Sequence, residues 1–254
     1  MIMKNIIIRV LNHIKWQFNF FLKITLPQCY YSLLLKSQVY SGPFIGMRYI
    51  RSSTGSVILP KLIGTYEDEL HTIINNLKLK QYSLFIDVGA AEGYYVVGIG
   101  KYIFNNLVPV IAYESTISGQ NKIKSLSILN AFTNVTVKGT CDTFSLGNDI
   151  CENRSFILID VEGAEYYLLD TQKIDFTFCD ILVEVHKNQI YNLNEIIIER
   201  FKFTHNIINI KPWNKKIPKN ISYPIWVFNK AKFVTNEFRG EQSWLWLESK
   251  KNSS

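Results

Sequence analysis

The chain has 254 residues, 47% of them hydrophobic and 19% charged, the balance of a folded globular protein with a sizeable core rather than of a disordered or collagen-like chain. Cys29, Cys141, Cys151 and Cys179 form no Cys-x-x-Cys pair and the four His are scattered, which excludes a zinc finger or ribbon and a dense disulfide framework. The net charge of +7 is lodged at one end: eight basic residues and no acid precede Glu67, and the remainder is close to balanced.

The first stretch, running to Lys36, is basic, apolar and aromatic. Lys and Arg interrupt it too often for the ~20 consecutive apolar residues of a membrane span. It also lacks the apolar core and small-residue cleavage site of a secretory signal. Residues 1–65 are read as a basic, apolar, helical N-terminal appendage packed on the main domain. A basic amphipathic helix lying on an anionic membrane is the second reading, and RNA binding a third. With no export signal, the scattered thiols point to a reduced, cytoplasmic protein.

Beyond this stretch short apolar runs alternate with longer amphipathic ones. TYEDELHTIINNLKLK predicts a helix capped by Thr65. SLFIDVG predicts a strand, EGYYVVGIGKYIFNN a helix, PVIAYE a strand, SGQNKIKSLSILNAF a helix with Ser118 as its cap, and NVTVKG a strand. DTFSLGNDICEN is polar and ambiguous. SFILIDVEG is a strand, AEYYLLD a short helix, DILVEVH a strand and NLNEIIIERF a helix; HNIINIK and YPIWVFNK read as the last two strands. This alternation gives an α/β fold over residues 66–254, a mostly parallel sheet with helices on both faces. The Pro-, Lys- and Asn-rich link between the last two runs predicts that the last strand enters antiparallel, as a hairpin partner at one edge.

In such sheets ligands bind beyond the carboxyl ends of the strands. The first strand runs into Asp87-Val88-Gly89-Ala90-Ala91-Glu92-Gly93. Its Gly-x-x-x-Gly spacing is not the Gly-x-Gly-x-x-Gly of dinucleotide folds. Glu92, opening the next helix, would repel a pyrophosphate, so a zwitterionic or cationic ligand fits better. Glu114 ends the second strand, where a carboxylate accepts both hydroxyls of a ribose and repels a 2′-phosphate. The glycine turn and Glu114 together point to a nucleoside ligand.

FIDVGAAEGYY resembles motif I of class I S-adenosylmethionine-dependent methyltransferases. ILIDVEGAEYYLL resembles the fourth-strand signature of the FkbM family within that class, and ILVEVH resembles its fifth-strand end. GPFIGMRYI, GSVILPKLIGTYEDEL and NEFRGEQSWLWLE resemble a bacterial FkbM-like subgroup. The resemblance implies a Rossmann-like sheet and S-adenosyl-L-methionine as cofactor. It implies that Asp87, Gly89, Ala90 and Gly93 cradle the methionine part, that Glu114 holds the ribose and that Asp142 contacts the adenine amino group. It adds Tyr66 and Glu67 as contacts before the first strand. The family usually carries Asn where this chain has Ala91-Glu92; the extra acid would favour the sulfonium cation.

Methyl transfer to a hydroxyl requires donor and acceptor in line and removal of a proton. Asp160, Glu184 and His186 stand at neighbouring strand ends. His186 is the candidate general base, its ordinary pKa lying near neutrality, with Asp160 and Glu184 orienting it or the acceptor. Alternatively the three bind a divalent metal that acidifies the hydroxyl. Glu165, one turn after Glu162, reads as a solvated or capping acid. Arg48 and Arg239 are candidates to pair with an anionic acceptor group, and Trp213, Trp226, Trp244 and Trp246 to stack on sugar faces; ion pairs at the surface and core packing are their ordinary roles. The resemblance implies O-methylation of a saccharide or other small-molecule acceptor, in cell-surface glycan or natural-product biosynthesis. A nucleic-acid methyltransferase competes, but base-amine enzymes carry Asn/Asp-Pro-Pro-Tyr/Phe after the fourth strand to grip the flipped base. This chain has Asp160-Val161-Glu162-Gly163 there. A non-catalytic cofactor-binding protein that acts through its N-terminal segment is the third function.

Overall fold

The computed structural model describes residues 22, 24, 26–150, 154–186, 190–213, 215–219, 222–238 and 242–252. Most of the basic stretch before Leu26, and Arg239, therefore lie outside the described residues. The chain runs through α1 (Leu26–Leu33), α2 (Ile58–Ile63), a short 3-10 turn (Asp68–Leu70), α3 (His71–Leu77), β1 (Leu84–Val88) and α4 (Tyr94–Val97), which widens into a π-helical turn (Gly98–Ile103). It continues with β2 (Val110–Tyr113), α5 (Ile117–Leu129), β3 (Val135–Lys138), α6 (Thr143–Asp149), β4 (Ser155–Ile159), α7 (Glu165–Leu168) and β5 (Cys179–Val185). α8 (Leu193–Phe201), β6 (His205–Ile210), α9 (Ile225–Asn229), α10 (Ala231–Val234) and β7 (Ser243–Ser249) complete it.

The strands form one sheet in the order β3-β2-β1-β4-β5-β7-β6. β1 to β5 pair in parallel, and β7 runs antiparallel between β5 and β6. Every residue of β1, β4 and β5 is buried, as expected of strands covered on both faces. Their side chains alternate into two cores: Phe85, Phe156, Leu182 and Trp244 on one face, Ile86, Ile157, Ile181 and Leu245 on the other. Burying each such side chain contributes about 1.5–3 kcal/mol before the entropy cost of ordering it. The order of connections reverses between β1 and β4, which opens a crevice at their carboxyl ends.

Residues ahead of the sheet share the first core. Phe44, Met47 and Tyr49 are buried in the same cluster as Phe85 and Tyr94. The Asn130 amide brackets the backbone of Arg48, accepting from its N–H at 2.9 Å and donating to its carbonyl at 2.8 Å. That pins this segment to the end of α5, while the Arg48 side chain stays exposed. Among the described residues no helix is long and apolar enough to cross a membrane.

Four local expectations are corrected. YPIWVFNK is helical: Pro224, with no N–H to satisfy, sits at the start of α9, which buries Val227 and leaves Ile225 exposed. The last strand is instead SWLWLES, and it is antiparallel as expected but lies inside the sheet with β6 at the edge. Its Trp244 and Trp246 face one core and Leu245 and Leu247 the other, so this run needs cover on both sides. Thr65 caps nothing, because the chain enters α3 through the 3-10 turn after a left-handed Glu67. Thr116, not Ser118, caps α5, accepting from the Gly119 N–H at 3.0 Å.

Candidate active site

A cavity of about 440 Å³ opens at the carboxyl ends of β1, β2 and β4, with Lys61, Tyr66, Asp87, Gly89, Glu114 and Asp160 among its lining residues. Gly89 has φ +89°, and a Cβ there would lie 1.8 Å from the Asp160 carbonyl oxygen. The glycine is therefore demanded by the contact between the turn and the end of β4, whether or not a ligand is near. Ala90 is also on the wall, and Gly93 packs against Ile123 of α5. Ala91 holds a left-handed φ of 49°, a conformation that suits Asn better than Ala.

Asp87 is 1% exposed and its Oδ2 has no hydrogen-bond partner among the described residues. Burial first, then the charges of Asp160 and Glu114, push its carboxyl well above the usual carboxylate range. Glu114 is firmly placed. One oxygen accepts from the Ala91 N–H at 3.0 Å, and the other from the N–H and hydroxyl of Thr116 at 2.8 and 2.6 Å. Gly119 makes room for it, since a Cβ at that position would stand 2.5 Å from Glu114 Cγ.

The acids expected near the cofactor are placed as follows. Glu92 is fully buried and bonded to Lys61 Nζ, the Tyr49 hydroxyl and the Thr54 N–H. Burial pushes its carboxyl up, but Lys61, Tyr49 and Thr54 outweigh that and hold it below its ordinary value. Its charge is paired with Lys61, which lies over the Tyr66 and Tyr94 rings at 4.7 and 5.3 Å, rather than free to face a sulfonium. Tyr66 is on the cavity wall, but the Glu67 carboxylate accepts from the Tyr95 hydroxyl and lies off it. Asp142 is exposed and caps α6, its carboxylate accepting from the Ser145 N–H at 2.7 Å; Gly139, Thr140 and Cys141 form the wall there.

Asp160, Glu184 and His186 do converge, their ligand atoms all lying within 4.8 Å of one another. His186 Nε2 is 3.6 Å from Asp160 Oδ1 and 3.5 Å from Glu184 Oε2, too long for hydrogen bonds and within ion-pair range. Its Nδ1 lies 2.6 Å from Oε1 of Glu165, which is completely buried. Glu165 is thus the imidazole's partner, not a solvated or capping acid. Burial lowers the His186 pKa, and the carboxylates of Glu165, Asp160 and Glu162 more than reverse this, leaving it raised. Asp160 is about one-third exposed toward the first cavity, while Glu184 reaches a second one of about 910 Å³, walled by Trp213, Lys215, Phe228 and Trp244. His186, 3% exposed, is set back from both. Of the other tryptophans, Trp246 is in the core and Trp226 stacks on Tyr31 at 5.0 Å.

The Methyltransferase FkbM domain family matches residues 63–210, more than half of the chain. The protein belongs to the FkbM methyltransferase family. Sequence comparison with curated proteins returns no match. Among solved structures, the precorrin-6y C5,15-methyltransferase of Geobacter metallireducens is 13% identical at a TM-score of 0.43, over 70% of this chain and 86% of that one. A SAM-dependent O-methyltransferase of Thermotoga maritima is 12% identical at a TM-score of 0.44, over 72% of this chain and 65% of that one. Similarities this low leave the class I methyltransferase architecture of this FkbM protein resting on its own strand order and on the family match.

Within the FkbM domain the residue that sequence reasoning passed over is Glu165. Asp160, Glu162 and Glu165 are three acids in six positions, and their linear spacing does not say which turns inward. The backbone decides it: Glu162 and Gly163 take left-handed φ values of 54° and 117°, and the Gly163 N–H donates to Glu165 at 3.1 Å. That reversal carries Glu165 under the end of β5.

Proposed function

We propose that this FkbM protein is an S-adenosylmethionine-dependent methyltransferase acting on a hydroxyl of a small-molecule acceptor, a saccharide foremost. The observation that carries the reading is the buried Oδ2 of Asp87, without a partner among the described residues, on the wall of a cavity that also presents Glu114. A buried carboxylate oxygen without a donor is costly, and the ammonium of a methionine group supplies one. Glu114 Oε2, which accepts from the Ala91 N–H, keeps acceptor capacity for a ribose hydroxyl. Asp87, Glu114, Asp160 and Glu162 make the wall acidic, which favours a sulfonium donor and opposes a pyrophosphate. The cavity volume falls within the range of about 300–1,000 Å³ usual for such ligands.

Bound there, S-adenosylmethionine supplies an electrophilic methyl carbon. The chain's own part is to hold donor and acceptor in line and to draw off the hydroxyl proton. The second cavity is the natural place for the acceptor, because the cluster of Asp160, Glu184 and His186 stands between it and the first. Lys216, Lys219 and Lys232 line that cavity and suit an acceptor bearing an anionic group. In this reading the protein works in the cytoplasm, and its basic N-terminal stretch is the part suited to an anionic membrane.

Calorimetric titration with S-adenosylhomocysteine tests the reading. Micromolar binding, about −8 kcal/mol, that collapses in Glu114→Ala supports it. A folded wild-type protein that takes up none overturns it.

A further inference from the structure

We propose that Asp160, Glu184 and His186 form a divalent-cation site at the junction of the two cavities. This rests on the methyltransferase reading and deepens it, because it states how the acceptor hydroxyl is activated.

The geometry separates this from a bare imidazole base. A base must come within about 3 Å of the proton it takes. His186 Nε2 is flanked by Asp160 Oδ1 and Glu184 Oε2 at 3.6 and 3.5 Å, and the ring is on the wall of neither cavity. A hydroxyl could reach it only by parting the two carboxylates. A cation needs the opposite, that they draw in.

The donors are ready for one. His186 Nδ1 is taken by Glu165, so in the neutral ring the proton sits there and the lone pair sits on Nε2. A buried carboxylate behind a metal-binding imidazole is the usual way its ring is oriented and its basicity raised. Nε2 is buried and makes no hydrogen bond among the described residues, so it is an unused donor aimed at two carboxylates. Donor atoms adjacent on a six-coordinate ion stand about 3 Å apart, and the three here lie within 4.8 Å of one another, so a shift of about an ångström by each would close the shell. One imidazole and two carboxylates suit Mn²⁺ or Mg²⁺, with the remaining positions left for water and the acceptor's oxygens. The partly exposed Asp160 gives the ion its way in from the first cavity. A hydroxyl bound to such an ion would release its proton to solvent water more readily, with His186 serving as ligand.

The test is Mn²⁺ binding to the full-length protein after dialysis against a chelator, read by loss of the free-ion paramagnetic resonance signal. S-adenosylhomocysteine binding is measured on the same samples. Saturable uptake is expected, weakened about tenfold or more by Asp160→Asn and by Glu184→Gln and unaffected by Glu199→Gln on the exposed face of α8. A retained cooperative thermal unfolding transition shows that the variants fold. Wild-type protein that binds S-adenosylhomocysteine but takes up no Mn²⁺ at millimolar concentration overturns the cation site and leaves the methyltransferase reading in place. Uptake that both variants leave unchanged also overturns it. Variant-sensitive uptake without S-adenosylhomocysteine binding keeps the site and removes its link to methyl transfer.

Discussion

Glu165 Oε1 lies 2.6 Å from His186 Nδ1, and through this buried pair the turn after β4 holds the end of β5. The contact is worth more than a surface pair because neither side chain is open to water. Glu165→Gln keeps the shape and removes the charge. The variant is expected to fold and to lose about 1.5–3 kcal/mol in urea unfolding, the range for hydrogen bonds to charged groups. An unchanged midpoint would mean the two groups do not pair in solution.

Gly119 and Glu114 give a way to disturb the proposed nucleoside contact without substituting the carboxylate itself. A methyl group at Gly119 would stand 2.5 Å from Glu114 Cγ, so the side chain must shift and its hydrogen bonds to Ala91 and Thr116 are strained. Gly119→Ala in α5 is therefore expected to lower stability by about 1–2 kcal/mol, because the strained hydrogen bonds outweigh the gain of up to about 1 kcal/mol in helix propensity. S-adenosylhomocysteine affinity is expected to fall about tenfold, or about 1.4 kcal/mol. Calorimetry beside thermal unfolding reads both. Equal affinity in the variant would show that Glu114 does not hold the ligand.

Much of this arrangement was legible in the sequence, and the gaps have physical causes. β1, β4 and β5 stood out because strands buried on both faces are apolar throughout, and the acids just after them mark the crevice. YPIWVFNK and SWLWLES were harder. Both are short, aromatic and apolar, and such runs do not separate strand from helix by local pattern. What separates them is long-range: SWLWLES finds two strand partners, whereas the other run follows Pro224 and packs Val227 inward. The ion pair of Lys61 with Glu92 was equally invisible, since a lysine in ILPKLI gives no sign that its partner sits in the turn after β1. Glu165 escaped because its direction depends on two left-handed residues before it.

His71 offers a test by pH away from the site. Burial first, with Lys215 adding to it, pushes its pKa down to about 4. In the unfolded chain the same side chain protonates near 6.5. Between those values the unfolded state binds more protons, so the folded state is favoured as pH rises and loses stability as pH falls from about 6.5 to about 4. His205, also held low by burial, acts in the same direction. His71→Gln is expected to show a smaller loss of denaturant midpoint than wild type between about pH 7 and about pH 5. The same loss in both proteins would mean that His71 is not kept neutral by the fold.

Asp87 sets stability against binding. Its carboxyl is buried, one oxygen has no partner among the described residues, and burial with Asp160 and Glu114 resists its ionisation. Ionising it in the empty protein is costly, and the ammonium of a bound ligand offsets that cost. Asp87→Asn is accordingly expected to melt at a higher temperature than wild type when no ligand is present. It should also bind S-adenosylhomocysteine more weakly, because the amide offers the ligand ammonium no charge. Since a ligand stabilises in proportion to the logarithm of its concentration over Kd, saturating S-adenosylhomocysteine should raise the wild-type melting temperature by much more than the variant's. The two proteins would then exchange rank as ligand is added, a pattern that simple structural damage cannot produce. If Asp87→Asn gains as much from the ligand as wild type does, the carboxylate is not the ammonium's partner, and the placement of the methionine group beside β1 is wrong.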